Sequence, residues 1–256
     1  MIPSYFIAHG APSLVLDNNA YTKFLGELAE RNVKPKAIVV FSAHFEEHTQ
    51  SVGVMETFDT IYDFYGFPDE MYRMTYPAKG DNEVAQQIMS LFHKNGIVSK
   101  FNTERGLDHG AWAILKLIYP NADIPVVSLS VNRELSNEQQ YLMGKALSEL
   151  REQDIMIIGS GGTVHNLRSV KWGMENVEKW AETFDDWLQH RLEAWDTESL
   201  FNYQELAPYG VDAVPTNEHF IPLIIAMGTG DKGKEAKLLH RSYQYGNLSL
   251  SCWEFN

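Results

Sequence analysis

Short runs of apolar residues, many of them β-branched, alternate along the chain with segments of helical periodicity. Residues 37–44, 124–131 and 154–158 are runs of this kind. Runs that are apolar at every position are typical of parallel strands buried on both faces. Between them, segments such as 82–93 place apolar residues every three or four positions, as an amphipathic helix does. The pattern therefore predicts an α/β fold with a mostly parallel central sheet flanked by helices.

The remaining segments extend this prediction to the whole chain. Further strands are predicted for residues 5–8, 50–55 and 97–101, and further helices for residues 21–31, 112–118, 136–150, 175–195 and 220–227. Thr216 is the expected N-cap of the last helix. Residues 237–253 alternate like a hairpin around Gly246-Asn247, which predicts an antiparallel C-terminal edge. We expect a single three-layer domain over residues 1–256.

Composition limits the possible partners and compartments. The chain has 256 residues, 44% of them hydrophobic, and a formal net charge of -13 without a basic cluster. Nucleic acid and anionic membranes are therefore not expected partners. Cys252 is the only cysteine, which excludes an intrachain disulfide and a cysteine-rich zinc site. No segment resembles a signal peptide or a membrane span, so we expect a cytoplasmic protein.

Five of the nine histidines share one context, a glycine-rich turn or a helix start next to a buried run. They are His9, His44, His109, His165 and His219. At least three of them follow predicted parallel strands, and chemistry in open α/β sheets collects at the carboxyl ends of the strands. One such histidine is more often structural, but five in one context predict a divalent metal site, proton transfer, or both.

Two other features leave alternatives open. The glycine run 159–162 is compatible with a phosphate-binding loop, but the lysine of that motif is absent and nucleotide binding is disfavoured. The irregular segment 58–77 is rich in aromatic residues, which either pack on the core or form a wall of an aromatic-substrate pocket. Converging imidazoles suit zinc hydrolysis as well as oxygen chemistry at non-haem Fe(II).

Six stretches in their order along the chain resemble the class III extradiol ring-cleaving dioxygenases, in the branch of the 4,5-DOPA dioxygenases. This superfamily includes the catalytic subunit of protocatechuate 4,5-dioxygenase. The stretches are Ala8-His9-Gly10-Ala11-Pro12, Ser42-Ala43-His44, residues 61–68 (Ile-Tyr-Asp-Phe-Tyr-Gly-Phe-Pro), Leu107-Asp108-His109-Gly110-Ala111-Trp112, Thr163-Val164-His165-Asn166-Leu167-Arg168 and residues 218–223 (Glu-His-Phe-Ile-Pro-Leu). Together they span nearly the whole chain.

The resemblance implies an enzyme that opens a catechol such as L-DOPA with O2 to a muconic semialdehyde. It implies metal binding by His9, His44 and His219, with His165 as acid/base or as an extra ligand when zinc fills the site. His109 is expected to help position substrate or oxygen, and Glu218 to support or replace His219. Tyr62, Phe64 and Phe67 are the expected substrate-binding residues.

The cofactor expected for activity is Fe(II), and Zn(II) is expected to be able to occupy the same site. The partners expected are a small aromatic diol and O2, with the protein a monomer or small homo-oligomer. Two alternatives remain, a zinc-dependent hydrolase that uses the same histidines and a non-catalytic binding protein of the same superfamily. The retention of His109 and His165 beside the three implied ligands argues against the binding protein.

Overall fold

A computed structural model describes residues 1–31, 33–174 and 176–256. Within these ranges one eight-stranded sheet forms the centre of the molecule. Its strands along the chain are β1 (Ser4–Ala8), β2 (Ala37–Glu46), β3 (Gln50–Gly53), β4 (Ser99–Asn102), β5 (Val126–Val131), β6 (Ile155–Gly161), β7 (Ala236–Gln244) and β8 (Leu248–Phe255). Their order across the sheet is β4-β3-β5-β2-β6-β1-β8-β7.

The four central strands β5, β2, β6 and β1 are parallel, as predicted from their apolar runs. At one edge β8 pairs antiparallel with β1 and β7 with β8, which confirms the predicted C-terminal hairpin. At the other edge β3 also runs antiparallel to its neighbour β5, while β4 is parallel to β3. The short connection from β2 to β3 is too brief for a crossover helix, so the chain reverses direction there.

Helices cover both faces of the sheet. They are α1 (Ala20–Leu28), α2 (Asn82–Lys94), α3 (His109–Ile118), α4 (Asn137–Ala146), α5 (Lys179–Glu193), α6 (Thr197–Phe201), α7 (Tyr203–Leu206), α8 (Gly210–Ala213) and α9 (Ile221–Thr229). The predicted helix 136–150 begins with a capping box formed by Ser136 and Gln139, but the chain changes to a 3-10 helix at Ser148–Gln153. Helix α5 begins at Lys179, later than predicted, and Glu175 lies outside the described residues.

The alternation of side chains along β1 shows how the three layers are built. Tyr5 and Ile7 belong to the core beneath α1 and α3, whereas Phe6 and Ala8 belong to the core beneath α5 and α9. Successive strand residues point to opposite faces, so a strand apolar at every position serves both cores at once. The predicted three-layer α/β arrangement is confirmed.

A buried arginine joins segments that are distant in sequence. Arg151 is 1% exposed, and its guanidinium donates hydrogen bonds to the carbonyl oxygens of Ile2, Thr229 and Phe255 at 2.7–2.9 Å. A charged donor satisfied by three carbonyls in this way stabilises the packing of the segment before β1 against α9 and β8.

None of the helices in the described ranges has the combination of length and apolar character that crossing a lipid bilayer requires.

Candidate metal centre

Three adjacent parallel strands bring three histidines to one edge of the sheet. His9 directly follows β1, His165 follows β6 after a short turn, and His44 lies near the end of β2. The strand order places β6 between β1 and β2. Strand β2 continues two residues beyond His44, to Glu46, with irregular pairing to β5 after Phe41. The predicted convergence at the carboxyl ends of the strands is therefore present.

The other two histidines come from the starts of helices. His109 is the first residue of α3, and the side chain of Asp108 caps that helix by accepting a hydrogen bond from the backbone N–H of Ala111. His219 lies in the turn just before α9. The prediction of Thr216 as N-cap was wrong, because its hydroxyl donates to the carboxylate of Glu218 instead.

The imidazole rings form a compact cluster. The ring centroids of His9 and His44 lie 4.9 Å apart, and His219 lies 5.1 Å from the first and 4.9 Å from the second. His165 stacks on His219 with a centroid distance of 3.5 Å. The possible ligand atoms of His9, His44 and His109 lie within 4.8 Å of one another, and those of His165, Glu218 and His219 form a second such group.

Neighbouring acceptors select which nitrogen of each ring faces the cluster. Ser160 donates its hydroxyl proton to the carbonyl of Gly110, so its oxygen accepts the Nδ1 proton of His9 at 2.9 Å. In the same way Nδ1 of His219 donates to Glu218 at 3.1 Å. The Nε2 atoms of His9 and His219 therefore keep the free electron pair that a metal ion needs.

Burial keeps these rings neutral. The pKa of His9 and that of His219 lie well below 6.5, because burial disfavours the charged form and the neighbouring imidazoles repel a further positive charge. Burial, followed by His109, lowers the pKa of His44 to about 4. Burial also lowers the pKa of His165 to about 4, although Glu218 partly opposes this. Neutral imidazole is the form that coordinates metals and accepts protons.

Two observations indicate that the histidine cluster is suited to binding a metal ion. Nε2 of His219 is buried and has no hydrogen-bond partner among the described residues, although such orphaned polar atoms are costly. Nε2 of His44 lies 3.1 Å from Nε2 of His9, a separation that requires either a proton or a cation between the two nitrogens. A divalent cation can replace a proton between His9 and His44 or bind the unpartnered nitrogen of His219, so the cluster can bind a metal ion.

A carboxylate from the irregular segment holds His109. Asp63 accepts hydrogen bonds from both the backbone N–H and Nδ1 of His109, each at 2.9 Å. Burial opposes ionisation of Asp63, but its contacts with His109 outweigh this and lower its pKa to about 2. The aspartate is therefore a carboxylate at neutral pH, and it fixes both the position of the His109 ring and the nitrogen that faces the cluster.

A second carboxylate fastens β2 to the start of α3. Asp108 accepts a hydrogen bond from the hydroxyl of Ser42 at 2.6 Å and one from Arg105 at 3.1 Å. The guanidinium of Arg105 also donates to the carbonyl oxygen of His44 at 2.8 Å. These bonds hold His44 and His109 at a fixed separation.

A cavity of about 770 Å³ opens from the cluster towards the surface. The five histidines lie on its wall, together with Phe64 and Phe67. The ring of Phe64 meets that of His109 edge-on at 5.9 Å. Tyr62 is not among the residues that line the cavity, because its ring packs on Trp112 and its hydroxyl donates to the carbonyl of Met74. The structure thus places two of the three predicted aromatic residues at the cavity.

Sequence reasoning missed Asp63 and Ser160 as supports of the histidines. Asp63 lies inside the aromatic motif 61–68, where the pattern drew attention to the rings rather than to the carboxylate. Its contact with His109 arises because residues 59–61 bond to the backbone of Leu107 on a neighbouring segment. No periodic pattern reveals a contact of that kind between two irregular segments.

Comparisons with known proteins identify the family of this chain. Residues 5–251 match the family described as the catalytic LigB subunit of aromatic ring-opening dioxygenase. A protein named 4,5-DOPA dioxygenase extradiol from Beta vulgaris is 41% identical, over 98% of this chain and 96% of that protein. One of the same name from Escherichia coli is 36% identical, over 97% and 93% respectively.

A solved structure shares the whole fold. The crystal structure of an uncharacterized protein from Escherichia coli K12 superimposes with a TM-score of 0.86 at 32% identity, and covers 100% of both chains. The family match and the relatives extend over nearly the full length, through all five histidine positions. The chain therefore belongs to the LigB family and is an extradiol aromatic ring-opening dioxygenase, which acts on an aromatic substrate with O2.

Proposed function

We propose that this enzyme binds ferrous iron through His9, His44 and His219 and opens the ring of L-DOPA or a closely related catechol to a muconic semialdehyde. The observation that carries the proposal is the orphaned, buried Nε2 of His219 beside the paired Nε2 atoms of His9 and His44. Three neutral nitrogens with room for further ligands suit a metal that must accept a substrate. The names of the relatives support L-DOPA as the catechol.

The chemistry that ferrous iron supplies when bound is chelation of both catechol oxygens and reductive activation of O2. Zinc binds the same nitrogens but has no redox chemistry, so a zinc-loaded site is expected to be inactive in ring cleavage. The cavity beside the cluster has the volume that a small aromatic molecule needs.

His165 is proposed to take a proton from a catechol hydroxyl. Its ring stacks on His219 and lies on the cavity wall, and it is neutral at pH 7 because its pKa is about 4. A neutral imidazole beside the bound diol can act as a general base. Removal of the phenolic proton makes the ring electron-rich and therefore more reactive towards oxygen.

His109 is proposed to stabilise negative charge that develops on oxygen. Asp63 holds its Nδ1 proton, so a second proton taken up at Nε2 would give a cation that faces the cavity and is paired with a carboxylate behind it. Such an arrangement aims a charged donor at the reacting oxygen without exposing the charge to water.

The experiment that tests the proposal is oxygen uptake by protein reconstituted with Fe(II) under anaerobic conditions and then offered L-DOPA and O2. We expect one O2 consumed for each L-DOPA, with a yellow semialdehyde product formed at the same rate. Zinc-loaded protein is the matched control. Activity of the zinc form without O2 consumption would refute the proposal and favour a hydrolase.

A further inference from the structure

The charged residues on the cavity wall are all acidic. Glu46, Asp63 and Glu218 line the cavity, and no lysine or arginine is among the described residues that do so. Asp63 is bound to His109, and Glu218 to His219. Glu46 is 45% exposed at the side chain and its carboxylate lies 3.4 Å from the guanidinium of Arg133. Arg133 contacts only Oε2 of Glu46, so Oε1 of this half-exposed carboxylate is the oxygen that a bound molecule can reach from solvent.

Aromatic side chains surround the opening of the same cavity. Tyr65 is 92% exposed and Trp172 is 73% exposed, and both line the cavity together with Phe64 and Phe67. Exposed apolar side chains that are grouped in one place mark a binding site, whereas single scattered ones do not. The faces of such rings carry partial negative charge and attract cations. The rim of the cavity, formed by the exposed residues Glu46, Tyr65 and Trp172, thus combines a carboxylate with aromatic rings that attract cations.

Glu46 lies on the cavity wall at some distance from the histidine cluster. It follows His44 by two residues on β2, which is a distance of about 7 Å along a strand. A catechol held by its two oxygens at the histidine cluster directs its ring substituent away from the cluster. A substituent of two carbons that ends in a charged group is long enough to bring that group close to the rim.

We propose that the site selects catechols whose side chain carries an ammonium group, with Glu46 as the residue that determines this specificity, and that a side-chain carboxylate contributes nothing to recognition. This inference rests on the proposed ring-cleavage function. It predicts that an amine without a carboxylate is as good a substrate as the amino acid.

The arginines near the opening do not provide an equivalent anion site. Arg133 contacts Glu46, Glu218 and the amide oxygen of Asn217, so its charge is already compensated. Arg168 is exposed and is not part of the cavity wall. Recognition of a carboxylate by either arginine would give the opposite order of substrates, which makes the ranking a decisive measurement.

Four catechols that carry the amine and the carboxylate in all combinations test the proposal. They are L-DOPA with both groups, dopamine with the amine alone, 3-(3,4-dihydroxyphenyl)propionate with the carboxylate alone, and 4-ethylcatechol with neither. We expect kcat/KM to be about three- to tenfold higher for L-DOPA than for the propionate, and higher by the same factor for dopamine than for 4-ethylcatechol. The carboxylate should give no increase in kcat/KM. Added salt should reduce the advantage of the amine. A higher kcat/KM for the propionate than for dopamine would overturn the proposal.

Matched variants assign the effect to one side chain. Glu46→Gln should remove most of the advantage of the amine, measured as the ratio of kcat/KM for dopamine to kcat/KM for 4-ethylcatechol. Glu47→Gln is the control, because Glu47 pairs with Lys100 and is not part of the cavity wall. An unchanged amine preference in Glu46→Gln would refute the role of Glu46.

The four substrates give different results if the charge preference is wrong and if the proposed function is wrong. Cleavage of 4-ethylcatechol without any preference for amines refutes only the inference, whereas failure to cleave any of the four refutes the proposed function. In that second case binding still tests the charge preference, through quenching of tryptophan fluorescence by tyramine and by 3-(4-hydroxyphenyl)propionate. Equal or weaker binding of tyramine would then overturn the inference as well.

Discussion

The protonation of single imidazoles is determined by groups behind the cluster. Ser160, Glu218 and Asp63 each accept an Nδ1 proton, from His9, His219 and His109 respectively. Each of these bonds directs the unprotonated Nε2 towards the cluster. His165 differs, because it stacks flat on His219, and it is the ring for which we propose proton exchange with the substrate.

His165 and His44 should respond differently to substitution. In His165→Ala we expect turnover to fall by about 10²- to 10⁴-fold, the usual contribution of a general base, with metal content near that of the unsubstituted protein. In His44→Ala both turnover and metal content should fall, since a ligand is lost. Metal analysis combined with oxygen uptake separates the two cases. Loss of metal in His165→Ala would instead identify His165 as a ligand.

Asp63 should matter although it contacts no substrate in this proposal. Asp63→Asn replaces the carboxylate that holds His109, and we expect kcat to fall by about 10- to 100-fold with metal content retained. Asp69→Asn is the control, because Asp69 belongs to the same irregular segment and is 91% exposed at the side chain. Steady-state kinetics with metal analysis are the measurements, and an equal effect of the two substitutions would contradict the role of Asp63.

At the level of elements, the end of β6 packs unusually closely against the turn that carries His219. A Cβ atom on Gly161 would lie 2.1 Å from the carbonyl oxygen of His219, and one on Gly159 would lie 2.1 Å from that of Pro222. Real Cβ atoms do not approach backbone so closely, so only glycine permits this contact. The glycine run therefore serves helix packing and the position of His219, instead of a phosphate.

Gly161→Ala should therefore displace the His219 turn. We expect a loss of about 1–3 kcal/mol in the free energy of unfolding, as for other overpacked interiors, together with a lower metal content. Gly162→Ala is a matched control, since its Cβ would meet its nearest neighbour, the Cβ of His165, at an ordinary 3.6 Å. Thermal unfolding and metal analysis of both variants test this, and equal stability of the two would contradict it.

The elements best predicted from sequence are those whose patterns reflect burial on both faces. Strands β2, β5 and β6 have apolar runs that leave little choice of position, and His44 and His165 lie near the ends of β2 and β6. The direction of β3, the late start of α5 and the turn at Thr216 were not predicted, because they depend on tertiary contacts rather than on periodicity. The inward orientation of Tyr62 also depends on tertiary contacts, with Trp112 and Met74, and so could not be predicted from the aromatic-rich sequence.

At the level of the whole molecule, the buried histidines make stability depend on pH in the metal-free protein. Burial lowers the pKa of His44 and that of His165 from 6.5 to about 4. Between these values the unfolded chain binds protons that the folded chain does not. The free energy of unfolding is therefore highest above pH 6.5 and falls as the pH is lowered towards 4.

Unfolding of the metal-free protein between pH 7.5 and pH 4.5 tests this linkage. We expect the melting temperature to fall across this range, and to fall less steeply in a His44→Gln, His165→Gln double variant, whose amides do not titrate. His9 and His219 shift in the same direction and account for part of the remaining slope. Identical slopes in the two proteins would exclude a contribution from His44 and His165.

The position of β1 between β6 and β8 has a consequence for synthesis on the ribosome. His9 is translated long before either strand that flanks β1, and its partner Ser160 belongs to the later of the two halves of the chain. Sheet contacts between such distant segments form slowly, because a large loop must close first. A nascent chain thus carries His9 and His44 without a formed site until β6, α9 and β8 have emerged, and the histidine cluster is completed after translation of nearly the whole domain.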